Sequence, residues 1–172
     1  MNKKPTKKEY AAYYANYINQ IVGDDILKIL AQRTAKSIAF MNDIAEEKWD
    51  FRYAANKWSI KELYIHIIDT ERIMAYRALR IARNDNTHLA GYEQDDYIPF
   101  SAAEQRSKAS IIAEYEAVRQ ATITLFQNFT PEMWKRIGTA SGWSISVLAL
   151  AYIIVGHEKH HIKILKERYL SV

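Results

Sequence analysis

Apolar residues recur at three- and four-residue intervals through four long stretches of this sequence, and nowhere does a stretch alternate as a strand would. That pattern predicts an all-α chain whose helices bury one face each, most simply as a four-helix bundle. The first stretch follows Gly23 and an Asp24 or Asp25 cap, with Ile26, Leu27, Ile29, Leu30, Ile38 and Met41 on its apolar side. Asn42 to Asn56 reads as a polar connection. The second stretch opens at Ser59-Ile60-Lys61-Glu62, a capping box, and carries Ile60, Leu63, Tyr64, Ile67, Met74, Ala78 and Ala82 at helical spacing. Ser101 to Glu104 reads as a second capping box, opening a third helix with Ile111, Ile112, Tyr115, Val118, Ile123 and Phe126. Gly138 to Gly142 reads as a loop, after which Ser144 caps a fourth helix running to about Tyr169. Trp58-Ser59-Ile60 recurs as Trp143-Ser144-Ile145, which reads as two helix starts with the same cap and an anchoring Trp. Residues 1–22 form a lysine-bearing tail and a short helical segment with Tyr10, Tyr13, Tyr14 and Tyr17. The 172 residues are most simply one domain.

The fourth helix holds the chemistry. Three of the five histidines lie within Gly156-His157-Glu158-Lys159-His160-His161-Ile162. On a helix, residues four apart share a face. The row is therefore Leu150, Ile154, His157, His161, Leu165, and two imidazoles interrupt an apolar line. A buried imidazole needs a partner. One metal ion supplies it for two rings at this spacing; carbonyls or carboxylates in a core are the alternative. His66 is the other helical histidine beside an apolar stripe. At ~1.5 Å per residue it stands about 10 Å past Ser59, while His157 and His161 stand roughly 18 and 12 Å before Tyr169. Antiparallel packing of the second and fourth helices brings all three near one level. A three-histidine site leaves a coordination position open, as catalytic metals do. Asp69 shares a face with His66 and is a candidate acceptor for a ring N–H; His160 is a second candidate supporting residue.

His157-Glu158-Lys159-His160-His161 also fits the H-E-x-x-H pattern of zinc proteases. The metzincin extension fails, with Ile164 and Glu167 where Gly and His are required, and no strand is expected to hold a peptide. Glu158, about 100° around the helix from His157, is placed at the surface. Arg77, Arg80 and Arg83 form a stripe best read as ion pairs to a neighbouring helix. The polar stretch from Asn84 to Phe100 is a long loop that could overhang a site.

Composition narrows the setting. There is no cysteine, so disulfides and thiolate metal sites are excluded and the reducing cytoplasm is compatible. The 24 basic residues are scattered and nearly matched by 20 acids, and no nucleic-acid partner is expected. No apolar signal core follows Lys3, Lys4, Lys7 and Lys8, and the longest apolar run, Val147 to Val155, is too short to cross a bilayer.

Lys57-Trp58-Ser59-Ile60-Lys61-Glu62, His66 with Asp69-Thr70-Glu71-Arg72, and Tyr76 to Arg83 strongly resemble the DinB-like (DinB/YfiT) superfamily. Gly138-Thr139-Ala140-Ser141-Gly142 and Ala151 to His161 fit the same family, and the likeness runs from about Tyr10 to Leu170. The resemblance implies a four-helix bundle with up-down-down-up order, often a homodimer. It implies a divalent metal, nickel or zinc, on one histidine of the second helix and an i,i+4 pair of the fourth: His66, His157 and His161. It also implies a metal-dependent hydrolase or a transferase using a low-molecular-weight thiol, acting on small molecules. A non-catalytic, stress-related metal- or ligand-binding protein is the alternative.

Overall fold

A computed structural model describes residues 4–171; Met1, Asn2, Lys3 and Val172, including the first of the tail lysines, lie outside them. The chain begins with a 3-10 turn, Ala12–Tyr14, and a short helix α1, Ala15–Ile18. The bundle helices are α2 (Ile26–Asp43), α3 (Ile60–Ala82), α5 (Lys108–Gln127) and α7 (Val147–Ile164). Between them stand the short helices α4 (Gln94–Tyr97) and α6 (Pro131–Lys135). No described helix is long and apolar enough to cross a membrane.

Helix starts follow local chemistry. At α3 the capping box forms as read: Ser59 Oγ accepts from the Glu62 N–H at 3.2 Å, and Glu62 accepts from the Ser59 N–H at 2.6 Å. The cap of α5 is Ser107, not Ser101, because Ala102 adopts φ +51° and Arg106 is extended, which breaks the helix there. The Ser101 hydroxyl instead donates to the Ile98 carbonyl.

The fourth helix differs most from expectation. Ile137–Ala140 (β1) and Trp143–Ser146 (β2) pair antiparallel, with Gly138 opposite Ile145. Ser141 and Gly142 both take positive φ, +53° and +80°, the two-residue turn that matches strand twist. Once these residues turn, Trp143 to Ile145 cannot open a helix, so the cap passes to Ser146, which accepts from the Ala149 N–H at 2.9 Å. Trp143 is exposed rather than an anchor. Leu89 bridges to Ala140, tying the 84–100 segment to the hairpin.

End contacts give the helix directions. The Tyr169 hydroxyl, beyond the end of α7, donates to the Trp58 carbonyl just before α3, at 2.8 Å. Gly138, just before α7, lies so close to Ile81 near the end of α3 that an added Cβ would sit 2.6 Å from its side chain. Thus α3 and α7 are antiparallel. Tyr152 reaches the Gly23 carbonyl before α2, and Lys166 lies over the Phe40 ring near its end, so α2 runs with α7. Lys108, at the start of α5, donates to the Ile44 carbonyl beyond α2, and Arg119 meets Glu71 midway along α3; α5 runs with α3. The order is up-down-down-up.

Helix α7 is buried on nearly every side from Val147 to Glu158, as expected of a helix apolar all round. The N-terminal segment helps enclose it. Tyr10, Ala11, Tyr14, Ile18 and Ile21 are buried in the chain's own core, while Tyr13 stays exposed. The close approach depends on Gly156: a Cβ there would lie 2.3 Å from the Tyr17 carbonyl oxygen. Trp49, in the stretch read as a polar connection, is fully buried and stacks on Tyr64 at 5.3 Å.

Candidate metal centre

Antiparallel packing of α3 against α7 brings His66, His157 and His161 together. His66 Nε2 lies 2.9 Å from His157 Nε2, and His161 Nε2 lies 3.0 Å from the same atom. One ligand atom from each residue falls within 4.8 Å of the other two. Nitrogens bound to one tetrahedral ion at ~2.0–2.1 Å would stand about 3.3–3.4 Å apart, so small movements would fit these rings to such an ion. The rings meet edge to face, with centroids 4.4–4.9 Å apart.

Protons alone do not satisfy this arrangement. Burial pushes His66 down to about 4, from an ordinary 6.5. Burial also holds His157 and His161 well below that value, with the neighbouring histidines adding to the effect. All three are neutral at pH 7. A neutral Nε2 is either a donor or an acceptor. His157 Nε2 therefore cannot make a good hydrogen bond of its own to each of two nitrogens on different rings. His161 Nδ1 is also buried without a hydrogen-bond partner among the described residues. A cation at the centre would accept all three lone pairs, so the donor set fits a divalent metal.

Aromatic rings close the cluster from two sides. Trp58 packs on His66 with ring centroids 4.8 Å apart, and Tyr17 sets its edge against His157 at 5.4 Å. Two cavities reach the cluster. One, of about 350 Å³, touches His157 and is walled by Tyr14, Tyr17, Met74, Arg77 and Tyr92. The other, of about 500 Å³, touches His161 and is walled by Trp58, Asp95, Ile98 and Tyr169. Tyr92, Glu93 and Asp95 thus bring the 84–100 segment over both cavities.

The supporting candidates stand apart from the ring nitrogens. Asp69 faces Arg72 at 3.8 Å and makes no hydrogen bond to the three rings among the described residues. Burial raises its carboxyl above the ordinary value, with Arg72 opposing. His160 is half-buried and packs against Tyr17 and His161 through ring edges, at 5.4 and 5.2 Å.

Glu158 is not a surface residue. Helix α7 is enclosed, so the face about 100° from the histidine row looks onto α2 and α5 rather than water. Its carboxylate is 1% exposed and accepts from Arg33 at 3.0 and 3.1 Å, from Tyr115 at 3.0 Å, and from Ser37 and Arg119. Burial alone would raise its pKa, but Arg119 and Arg33 outweigh that and hold it below the ordinary 4.5. Arg119, fully buried, also grips Glu71 through bonds of 2.8–3.1 Å. Committed to this network, Glu158 cannot act as a protease base.

The arginine stripe departs from its reading as well. Arg80 pairs with Asp85 in its own following turn, and Arg83 contacts Met133. Arg77 is buried and donates to the Ala90 carbonyl and the Ser141 hydroxyl. Its place in a cavity wall had no sequence signal beyond the apolar residues at 74 and 78 on either side.

Among known proteins, the DinB superfamily model matches residues 29–165. The solved structure of YfiT from Bacillus subtilis, described as a probable metal-dependent hydrolase with an unusual four-helix bundle topology, superposes with a TM-score of 0.71. It is 14% identical, and the match covers 99% of this chain and 93% of that one. The mycothiol-dependent maleylpyruvate isomerase superposes with a TM-score of 0.65 at 9% identity, over 84% of this chain and 61% of that one. No curated protein matches the sequence. At these identities the two structures establish the shared fold, and the family model adds the lineage: the chain belongs to the DinB superfamily.

Proposed function

We propose that His66, His157 and His161 hold a divalent metal, nickel or zinc, and that the protein is a metal-dependent enzyme acting on small molecules. The observation that supports this most directly is the set of three neutral, inward-facing imidazoles, in which His157 Nε2 faces both other Nε2 atoms and has one proton or lone pair for the two of them. Bound there, such an ion supplies Lewis acidity toward a substrate oxygen or sulfur and lowers the pKa of a water or thiol. The chain's own residues orient and enclose. Trp58 and Tyr17 restrict water on two sides of the rings, and Thr70, Tyr92, Ser141 and Arg77 present polar groups in the cavity that reaches His157.

Transfer of a low-molecular-weight thiol to a small acceptor fits better than hydrolysis. Two cavities reach the cluster, and a two-substrate reaction needs two seats. No carboxylate hydrogen-bonds to the rings among the described residues, and a thiol that ionises at a metal needs less help from a protein base than water does. Hydrolysis is the second reading, supported by the description of YfiT. Convergent polar groups at the cavity argue against a purely storage or sensing role. A homodimer in the cytoplasm completes the proposal, on the family resemblance and the cysteine-free composition.

Elemental analysis of the purified protein, followed by a thiol-transfer screen with the metal found, tests the reading. We expect stoichiometric nickel or zinc, and thiol consumption dependent on it. Protein that takes up neither metal after dialysis against it would refute the site.

A further inference from the structure

Arg77 carries a charge that the fold does not neutralise. It is 3% exposed, yet no carboxylate lies within 4 Å of it among the described residues. Every other deeply buried guanidinium or carboxylate described here, Arg119, Glu71 and Glu158, sits in an ion pair. The partners of Arg77 are neutral: Nη2 donates to the Ala90 carbonyl at 2.8 Å and to Ser141 Oγ at 3.1 Å, and Nη1 meets the Met74 sulfur at 3.8 Å. Joining the hairpin turn to the Leu89–Gly91 segment needs a donor, not a cation. A buried charge without a counterion is costly and calls for one.

The guanidinium borders the cavity that reaches His157. Tyr92 stands over it, 5.8 Å from ring centroid to guanidinium carbon, and its hydroxyl pairs with Thr70 at 3.0 Å. Tyr14, Tyr17 and Met74 add flat and apolar wall, and Gln94 adds a polar edge. Glu93 also lines the cavity but is exposed and not in ion-pair range of Arg77. Arg77 and His66 are eleven residues apart on α3, about 16 Å along its axis, and the Arg77 side chain folds back toward Met74. The remaining span is on the order of 10 Å.

We infer that this cavity receives a small carboxylate-bearing molecule with a flat apolar body, its carboxylate on Arg77 and its far end at the histidine cluster. Guanidinium and carboxylate match in charge and in fork geometry. A cavity of about 350 Å³ suits such a ligand. The inference rests on the proposed metal enzyme for what happens at the far end, but not for the binding of the carboxylate.

The test compares 3-phenylpropanoate with 3-phenylpropanamide, which differ in charge and hardly in shape, by ligand-observed NMR titration. Each is titrated into wild type and Arg77→Met, with zinc and with chelator. Wild type is expected to prefer the carboxylate about tenfold in both metal states, the difference between charge-assisted and neutral hydrogen bonds. Arg77→Met, shown folded by circular dichroism, is expected to lose the preference. If Arg77→Met does not fold, Arg77→Lys takes its place; with charge kept and fork lost, it should bind the carboxylate several-fold more weakly. Unchanged carboxylate affinity in the variant overturns the inference, as does equal binding of the two probes, or of neither, to wild type. A preference that disappears with chelator and survives Arg77→Met assigns the carboxylate to the metal: the inference fails and the metal reading stands. A preference that persists with chelator and needs Arg77 upholds the inference even in a protein that takes up no metal.

Discussion

His157 and Glu158 are neighbours in sequence and belong to two opposite kinds of buried polar cluster. Glu158 joins Arg33, Glu71 and Arg119 in a group of two carboxylates and two guanidiniums, with Ser37 and Tyr115 filling further acceptor sites. Only Arg119 Nη1 is left there without a partner among the described residues. His157 joins His66 and His161 in a group with three rings and no counter-charge, in which His157 Nε2 faces two other ring nitrogens with a single proton or lone pair to offer. A cluster that balances itself is part of the scaffold. A cluster that does not is, on the function proposed above, the seat of a ligand. Helix α7 carries both because it is enclosed, so two faces about 100° apart meet different helices.

The sharpest way to break this comparison is to unbalance the balanced cluster. Arg119→Met leaves Glu71 and Glu158 facing each other without the cation between them. Removing one partner of a buried pair typically costs about 3–5 kcal/mol. Urea denaturation should show a loss of that order, while the folded fraction keeps its metal. A loss below about 1 kcal/mol would mean that water reaches these carboxylates.

Acid should separate the clusters. His66 titrates near 6.5 when unfolded and at about 4 when folded, so the unfolded chain binds more protons between those values. Its contribution is complete above 6.5 and is lost as pH falls toward 4, on the order of 3 kcal/mol. His157 and His161 shift in the same direction and deepen the loss. Glu158 is held below 4.5, so its contribution persists through that range and fails only at lower pH. Urea titrations in chelator should therefore show stability declining from pH 6.5, with a further acid limb below 4.5. Stability flat between 6.5 and 4.5 would show that the rings are not desolvated.

The two clusters were unequally legible in the sequence. The triad was visible because its residues interrupt apolar rows at helical spacing, and because helix rise, with the two helices antiparallel, puts His66 near the level of the other two. The four long helices were visible for the same reason: periodicity is local, and the apolar positions read for α3 are all buried. The charged network had no local signature. Glu158 looks solvated because Lys159 and Lys166 flank it, and only the packing of α2 and α5 shows otherwise. Arg77 was hidden in the same way. The hairpin was missed because four-residue strands are too short to show alternation, and because Trp143-Ser144-Ile145 copies the true cap at Trp58-Ser59-Ile60. Positive φ at Ser141 and Gly142 decides the matter, and only the Gly142 half of that turn was strongly signalled.

Filling the unbalanced cluster should stabilise it. A metal that binds only the folded state contributes about 2.7 kcal/mol at a hundred times its Kd. Chelator should lower the melting temperature of wild type by several degrees. His157→Ala and His161→Ala should lose the metal and the chelator effect together, by elemental analysis and by thermal melts with and without chelator. Retention of stoichiometric metal by His157→Ala would remove that ring from the site.

The smallest effect is expected at His160, which tests whether the site is defined by geometry or by mere proximity. Its ring lies 5.2 Å from that of His161, about as close as the rings of His66, His157 and His161 are to one another. It sits one position off the apolar row, makes no hydrogen bond among the described residues, and packs by its edge on Tyr17. Burial lowers its pKa, with Lys163 adding to the shift, so it too is neutral at pH 7 and is chemically able to bind a metal. Only its direction keeps it out. His160→Ala should therefore retain the metal and the full chelator shift, with a stability change below about 1 kcal/mol from lost ring contacts. His88→Ala, in the exposed part of the 84–100 segment, is the matched control and should be silent. A chelator shift that vanished in His160→Ala and survived in His157→Ala would put the metal on the other side of α7, and the lone pairs now facing His66 would need another account.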